Sequence, residues 1–120
     1  MSKRILLVED EEDNMRILRD LLTSGYELYE AVDGEKALAA VAKQRPDLIL
    51  MDIQLPIMDG YEATRRIKAD PALRSIPIIA ITSYALGDDE ARARAAGCDD
   101  FVPKPYSPRE LLAKVREYLT

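Results

Sequence analysis

RPDLILMDIQLPIMDG, residues 45 to 60, is the stretch of this 120-residue chain that decides the fold. Four consecutive apolar residues, from Leu48 to Met51, run directly into the carboxylate of Asp52. An unbroken apolar run is typical of a strand that is buried on both faces of a parallel sheet. The acid at the end of such a strand raises the question of its role, since Asp52 taken alone could also cap the following loop.

Strand and helix patterns alternate five times along the chain. The predicted strands are RILLV (4–8), YELYEAV (26–32), DLILM (47–51), IPIIAI (76–81) and DDFV (99–102). A helical pattern follows each strand, with Asp33 and Ser107 as predicted N-caps and Gly97 as a predicted C-terminal cap. The alternation predicts a single doubly wound α/β domain over residues 1–120, with a parallel sheet between two layers of helices.

Composition and charge narrow the classes of function. The formal net charge of -5 disfavours nucleic acid as a partner, and the chain contains no histidine for a catalytic triad or a metal site. No apolar stretch approaches the roughly 20 residues that cross a bilayer. The single cysteine, Cys98, excludes an internal disulfide and is expected to be a packed structural residue. We therefore expect a cytoplasmic protein that contacts neither membranes nor nucleic acid.

Polar residues follow four of the five predicted strands. They are Glu9, Asp10, Asp52, Thr82, Ser83 and Lys104. In open α/β sheets the carboxyl ends of the strands lie at one edge, where ligands bind. We therefore expect three acids, a hydroxyl group and an ammonium group to converge at that edge.

The expected cluster suits phosphoryl transfer to an aspartate. Three neighbouring carboxylates repel one another, and a divalent cation relieves this repulsion. Mg²⁺ prefers oxygen ligands and keeps water molecules that a phosphate can replace. Asp52 then acts as the nucleophile, while the cation and Lys104 offset charge on the phosphoryl oxygens. The nearby hydroxyl of Thr82 is placed to sense what Asp52 carries.

Four motifs, in this order, resemble the receiver domain of two-component response regulators. They are ILLVEDEEDN (5–14), PDLILMDIQLPIMDG (46–60), AITSYA (80–85) and FVPKP (101–105). The likeness covers essentially the whole chain and is greatest to free-standing receivers of the cell-division-control type. It implies a flavodoxin-like (βα)5 sheet with strand order 2-1-3-4-5 and a signalling switch that phosphorylation activates.

The resemblance implies a role for each site residue. Asp52 is the phosphoacceptor, Thr82 binds the phosphoryl group, and Lys104 pairs with Asp52 ahead of a cis peptide bond to Pro105. The implied metal ligands are Glu9 (through water), Asp10, Asp52 and the backbone carbonyl of Gln54, with Mg²⁺ as the cation and Mn²⁺ as the alternative. Phe101 and Thr82 are the implied switch residues, and Gln54 and Tyr84 are implied to tune dephosphorylation.

The resemblance also implies the partners. A histidine kinase or a histidine phosphotransfer protein donates the phosphoryl group, and the chain assists its own phosphorylation and dephosphorylation without being an enzyme in the usual sense. A downstream protein target then meets the face formed by the fourth helix, the fifth strand and the fifth helix.

The sequence departs from the family pattern at three places. The acidic pair is Glu9-Asp10 where two aspartates are commonest, and Ser83 follows the threonine where alanine is common. The connection at Ser24-Gly25 is one residue short, so its local geometry is not predicted.

Other interpretations remain open at this point. Taken singly, Glu9 and Asp10 suit the start of a helix, and Phe101 suits a core. A phosphatase of the haloacid dehalogenase kind would need a second acid at the position of Gln54. A receiver-like module that is never phosphorylated is disfavoured by the complete set of site residues. Nucleotide binding is disfavoured because no glycine-rich phosphate loop follows the first strand.

Overall fold

The computed structural model describes residues 2–82 and 88–119. The strands are β1 (Arg4–Val8), β2 (Glu27–Ala31), β3 (Leu48–Asp52), β4 (Ile78–Thr82) and β5 (Asp100–Pro103). The helices are α1 (Glu12–Leu22), α2 (Gly34–Gln44), α3 (Gly60–Ala69), α4 (Asp88–Ala96) and α5 (Pro108–Leu119). The predicted alternation of strand and helix is therefore confirmed.

The five strands form one parallel sheet in the order β2-β1-β3-β4-β5, which confirms the predicted topology. The strand order reverses between β1 and β3, since β2 lies on one side of β1 and β3 on the other. Val8 pairs with Met51 across this switch point, and Asp52 pairs with Ile81 on β4. The acid at the end of β3 therefore lies in the crevice where ligands bind to open α/β sheets.

Each face of the sheet carries its own apolar core, because side chains alternate between the faces along every strand. One core joins the sheet to α1 and α5, and its largest buried members include Ile5, Leu18, Leu48, Leu50 and Val115. The other core joins the sheet to α2, α3 and α4, and includes Leu6, Val41, Ile49, Ile67 and Ala93. All five residues of β3 and of β4 are buried, as an apolar strand between two helical layers should be.

Side-chain caps set where the helices begin. The Asp33 carboxylate accepts a hydrogen bond from the Lys36 N–H at 2.8 Å, and the Ser107 hydroxyl accepts one from the Glu110 N–H at 3.0 Å. Both caps were predicted. Gly97 has a φ of +109°, which confirms it as a C-terminal cap in the left-handed region.

The short connection between α1 and β2 closes through one carbonyl group. The N–H groups of Gly25 and Tyr26 both donate to the Leu22 carbonyl oxygen, at 3.2 Å each. These two hydrogen bonds to one acceptor turn the chain within a few residues. β2 then begins at Glu27 in register with Arg4 of β1.

Gly60 allows the loop after β3 to fold back onto the strand. Its N–H donates to the Ile53 carbonyl oxygen at 2.9 Å. A Cβ atom at this position would overlap the carbonyl oxygen of Asp52 and would lie 2.8 Å from the Cα atom of Ile53. Because backbone atoms cannot give way as a flexible side chain can, only glycine lets α3 start this close to Asp52.

We expect Gly60→Ala to lower the free energy of unfolding by about 1–3 kcal/mol, the usual cost of overpacking. The reason is the forced displacement of the backbone at Asp52. Urea unfolding measures the change. Gly25→Ala is the matched control, because a Cβ atom at Gly25 meets nothing within 4 Å. Equal stability of the two variants would contradict the close approach described here.

Candidate functional site

The carboxyl end of the sheet brings the predicted acids together. Glu9 and Asp10 follow β1 and Asp52 ends β3, and each offers a carboxylate oxygen within 4.8 Å of the others. Glu9 and Asp52 are buried, with 2% and 3% of their surfaces exposed, whereas Asp10 is exposed. One of the three acids therefore faces solvent, and the other two lie in the interior.

Lys104 supplies the cation that faces these acids. Its ammonium group lies 3.1 Å from an Asp52 carboxylate oxygen and 3.3 Å from a Glu9 carboxylate oxygen. The backbone N–H of Lys104 donates to the Thr82 carbonyl oxygen at 2.7 Å, and the peptide bond from Lys104 to Pro105 is cis. The backbone bond to β4 thus fixes where the side chain starts, and the predicted ion pair with Asp52 is present.

Both oxygens of the Asp52 carboxylate accept hydrogen bonds. Oδ1 accepts from the Gln54 N–H at 3.1 Å, and Oδ2 accepts from the Lys104 ammonium group at 3.1 Å. Asp52 itself is the last residue of β3, whose backbone is paired on both sides. The carboxylate is therefore held at a fixed position by the strand, by the following turn and by the ion pair.

Glu9 has an unusual protonation equilibrium. Burial, the hydrogen bond to Asp52 and the charge of Asp52 raise the pKa of Glu9 from 4.5 to about 8, and Lys104 offsets only part of this. Burial opposes the charged form of Lys104, but the charges of Asp52 and Glu9 outweigh it and raise the pKa of its ammonium group. At neutral pH the Glu9 carboxyl group is therefore largely protonated.

The donor set fits a hard divalent cation. Three carboxyl groups crowd together with a single ammonium group, so one of them must stay protonated unless another positive charge arrives. Oxygen donors, with one exposed acid at the mouth of the site, match what Mg²⁺ binds. Glu9, Asp10 and Asp52 are brought together as the sequence predicted. The carbonyl of Gln54 as a further ligand stays a prediction.

The predicted switch residues lie on the neighbouring strands. Thr82 ends β4, is 2% exposed and pairs with Pro103 of β5. Phe101 is half-buried on β5, packs against the core of α2, α3 and α4, and has the Arg94 guanidinium carbon 5.6 Å from its ring centroid. Tyr84, the predicted modulator of dephosphorylation, lies outside the described residues.

An apolar groove that sequence reasoning missed opens beside the acids. It has a volume of about 440 Å³. Its lining residues are Glu9, Asn14, Ile17, Leu18, Ile81, Lys104, Pro105 and Tyr106. Ile17 is 50% exposed, although it is a large apolar residue on α1. The only sequence signal was an isoleucine that lies off the buried stripe formed by Met15, Leu18 and Leu22.

Every helix among the described residues falls short of the length and apolar character that crossing a membrane requires.

Sequence and structure comparisons agree on one family. The chain matches the model of the response regulator receiver domain over residues 5–116. Two curated relatives are the polar-differentiation response regulators DivK of Brucella anthropi and Brucella ovis, which are 45% and 44% identical over 120 residues. Each match covers 99% of this chain and 98% of the relative. The resemblance to cell-division-control receivers is therefore confirmed.

Solved structures of receiver domains share this fold. The receiver domain of a sensor histidine kinase from Pseudomonas aeruginosa, with a magnesium ion coordinated in its active site cleft, is 39% identical with a TM-score of 0.92. That match covers 99% of this chain and 98% of the other. The receiver domain of a signal transduction histidine kinase from Syntrophus aciditrophicus is 35% identical with a TM-score of 0.91, covering 98% of this chain and 90% of the other.

We expect the stability of the metal-free protein, kept in EDTA, to fall as the pH rises from 4.5 to about 8. In this range the folded state keeps a proton on Glu9 that the unfolded state releases, so folding is favoured at the lower pH. Glu9→Gln removes that titration. The variant should therefore be more stable than the wild type at pH 8, with the difference shrinking towards pH 4.5, as urea unfolding at a series of pH values would measure.

Glu30→Gln provides a control of opposite sign. The hydrogen bond from Arg19 lowers the pKa of Glu30, so this ion pair adds stability above the ordinary pKa, and the variant should lose a little stability at neutral pH. Identical pH slopes for the wild type and Glu9→Gln would show that Glu9 is not the buried, proton-holding group.

Proposed function

We propose, since the chain belongs to the response regulator receiver domain family of two-component signalling, that Asp52 is the residue on which it accepts a phosphoryl group. The chain is a phosphorylation-activated signalling switch and not an enzyme in the usual sense. The observation that carries the assignment is the Asp52 carboxylate, 3% exposed, which ends a rigid strand beside the Lys104 ammonium group. Its donor would be a histidine kinase or a histidine phosphotransfer protein.

Transfer to Asp52 exchanges one bond to phosphorus for another. An oxygen of the Asp52 carboxylate forms a bond to phosphorus as the bond from phosphorus to the donor's imidazole nitrogen breaks. The nitrogen keeps the electron pair and takes up a proton from solvent. The Lys104 ammonium group, already 3.1 Å from Asp52, can then pair with a phosphoryl oxygen, and the Thr82 hydroxyl can donate a hydrogen bond to another.

The residues that would hold Mg²⁺, or Mn²⁺ in its place, are Glu9, Asp10, Asp52 and the backbone carbonyl of Gln54. When bound, the cation would supply positive charge that offsets both the carboxylates and the phosphoryl oxygens. The receiver domain from Pseudomonas aeruginosa, with magnesium in its cleft, supports this part of the proposal. The role of Glu9 would be to give up its proton, so that its carboxylate adds a second buried negative charge next to the cation.

The groove lined by Ile17 and Tyr106 supports a protein as the donor. It borders both Glu9 and Lys104, so a partner seated in it would reach the Asp52 carboxylate from the side. Exposed apolar surface beside a reactive group is a common feature of protein-binding sites. We infer that the partner carrying the phosphorylated histidine covers this groove during transfer.

The phosphoryl group would change the face formed by α4, β5 and α5. Thr82 moves towards the phosphoryl oxygens, Phe101 takes up the space that Thr82 leaves, and the face gains or loses a downstream protein target.

Gln54 and Tyr84 would set how fast water removes the phosphoryl group. We place this cycle in the cytoplasm, because the buried free thiol of Cys98 suits a reducing compartment. We expect neither membrane nor nucleic-acid partners, and the net charge of -5 disfavours the latter.

We expect one phosphoryl group to be added when the protein is incubated with Mg²⁺ and acetyl phosphate, as intact mass spectrometry would show. EDTA should abolish the addition, because the crowded carboxylates need a cation before a phosphate can approach. Asp52→Asn should stay unmodified, because an amide oxygen is a poor nucleophile.

Asp47→Asn makes the same chemical change just before β3 begins. The Asp47 side chain accepts a hydrogen bond from the Arg4 N–H at 2.8 Å, where β1 begins and so at the end of the sheet opposite the acids, and this variant should be modified like the wild type. A phosphoryl group on Asp52→Asn would refute Asp52 as the acceptor.

A further inference from the structure

α4 is attached to the rest of the protein by very little apolar surface. Between Glu90 and Ala96, the buried side chains are Ala93 and Ala96. An alanine methyl group removes little apolar area from water, so these contacts contribute only a small part of what a leucine would. Within this described part of the helix, other interactions must therefore help to set its position.

Two arginine side chains of α4 lie over aromatic rings on either side. The guanidinium carbon of Arg92 is 4.4 Å from the ring centroid of Tyr61 on α3, and that of Arg94 is 5.6 Å from the ring centroid of Phe101 on β5. Both distances are within the roughly 6 Å over which a cation is attracted to the face of a ring. The helix therefore has one such contact to α3 and one to β5.

We propose that Arg92 and Arg94 form a cation–π clasp that holds α4 in place, and that Arg94 keeps Phe101 in its half-buried position. The second part rests on the proposed function, in which Phe101 moves inward on phosphorylation. Arg92 contacts Tyr61, which is only 4% exposed and belongs to the core, so the ring on its side of the clasp keeps its place in both states. Arg94 contacts a half-exposed ring that changes position, so its contact exists in one state only.

Because of this difference, the clasp favours one of the two states of the switch. A contact made in only one of two states shifts the equilibrium towards that state by its own free energy. When Phe101 turns into the core, the Arg94 guanidinium group loses the ring and keeps, among the described residues, its ion pair with Glu90 at 3.7 Å. An exposed ion pair of this kind contributes little. Arg94 therefore opposes activation, and its removal should make the switch easier to activate.

The chain contains a single phenylalanine, so labelling with 4-fluorophenylalanine places one fluorine atom, at Phe101. Its ¹⁹F resonance reports the surroundings of that ring alone. The variants to compare are Arg94→Gln, which loses the charge, and Arg94→Lys, which keeps the charge but loses the planar group. Arg66→Gln on α3 is the matched control, since its side chain pairs with Glu62 at 2.9 Å and makes no ring contact among the described residues.

Titration with beryllofluoride and Mg²⁺ mimics phosphorylation and should move the wild-type resonance to an activated position. We expect the Arg94→Gln resonance to start displaced towards that position and to reach its midpoint at about two- to five-fold lower beryllofluoride, the effect of losing an exposed cation–π contact. Arg94→Lys should fall between Arg94→Gln and the wild type. If Arg94→Gln follows the same titration as Arg66→Gln, Arg94 has no part in the switch.

Hydrogen exchange of the α4 amides tests the clasp without any phosphate mimic. Arg92→Gln and Arg94→Gln should both speed exchange in α4 relative to Arg66→Gln, and unchanged exchange in both would overturn the clasp. If beryllofluoride leaves the wild-type resonance unmoved, the proposed function fails, and the exchange measurement still decides whether the clasp holds α4.

Discussion

Two buried carboxyl groups and one ammonium group, those of Glu9, Asp52 and Lys104, form the interaction on which the rest of this structure depends. One positive charge is not enough for two buried acids, so a proton stays on Glu9 and its pKa rises to about 8. Burying two acids in this way costs free energy. The arrangement persists because the paired strands fix the positions of both acids. We propose that a divalent cation and a phosphoryl group act on this imbalance of charge.

The sheet makes this imbalance possible. Asp52 ends β3, which is fully buried and paired on both sides, and Gly60 brings the next helix against its carbonyl group. β1 and β5 deliver Glu9 and Lys104 to the same edge. We propose that the response to phosphorylation reaches the surface through α4, whose arginines lie against the rings of Tyr61 and Phe101. On this proposal the sheet holds the phosphoryl site and α4 carries the response.

The sequence predicted the parts that rest on local rules. Continuous apolar runs gave the buried strands, Asp33 and Ser107 gave helix starts, and the polar residues at the strand ends gave the site. It did not predict the protonation of Glu9, because this depends on burial and on distances between three strands. The closeness of Gly60 to Asp52, the groove beside Ile17 and the contacts of Arg92 and Arg94 were missed for the same reason. Each depends on how the elements pack in three dimensions, which local sequence patterns do not report.

The central claim is that this edge of the sheet is built to hold a phosphoryl group on Asp52. A crystal structure of the protein with beryllofluoride and Mg²⁺ tests it most directly, because the mimic needs the same groups without a lasting covalent bond to phosphorus. We predict beryllium bound to an oxygen of Asp52, with fluorine atoms within hydrogen-bond distance of the Lys104 ammonium group and the Thr82 hydroxyl. Beryllofluoride bound elsewhere, or absent at saturating concentrations, would contradict the account.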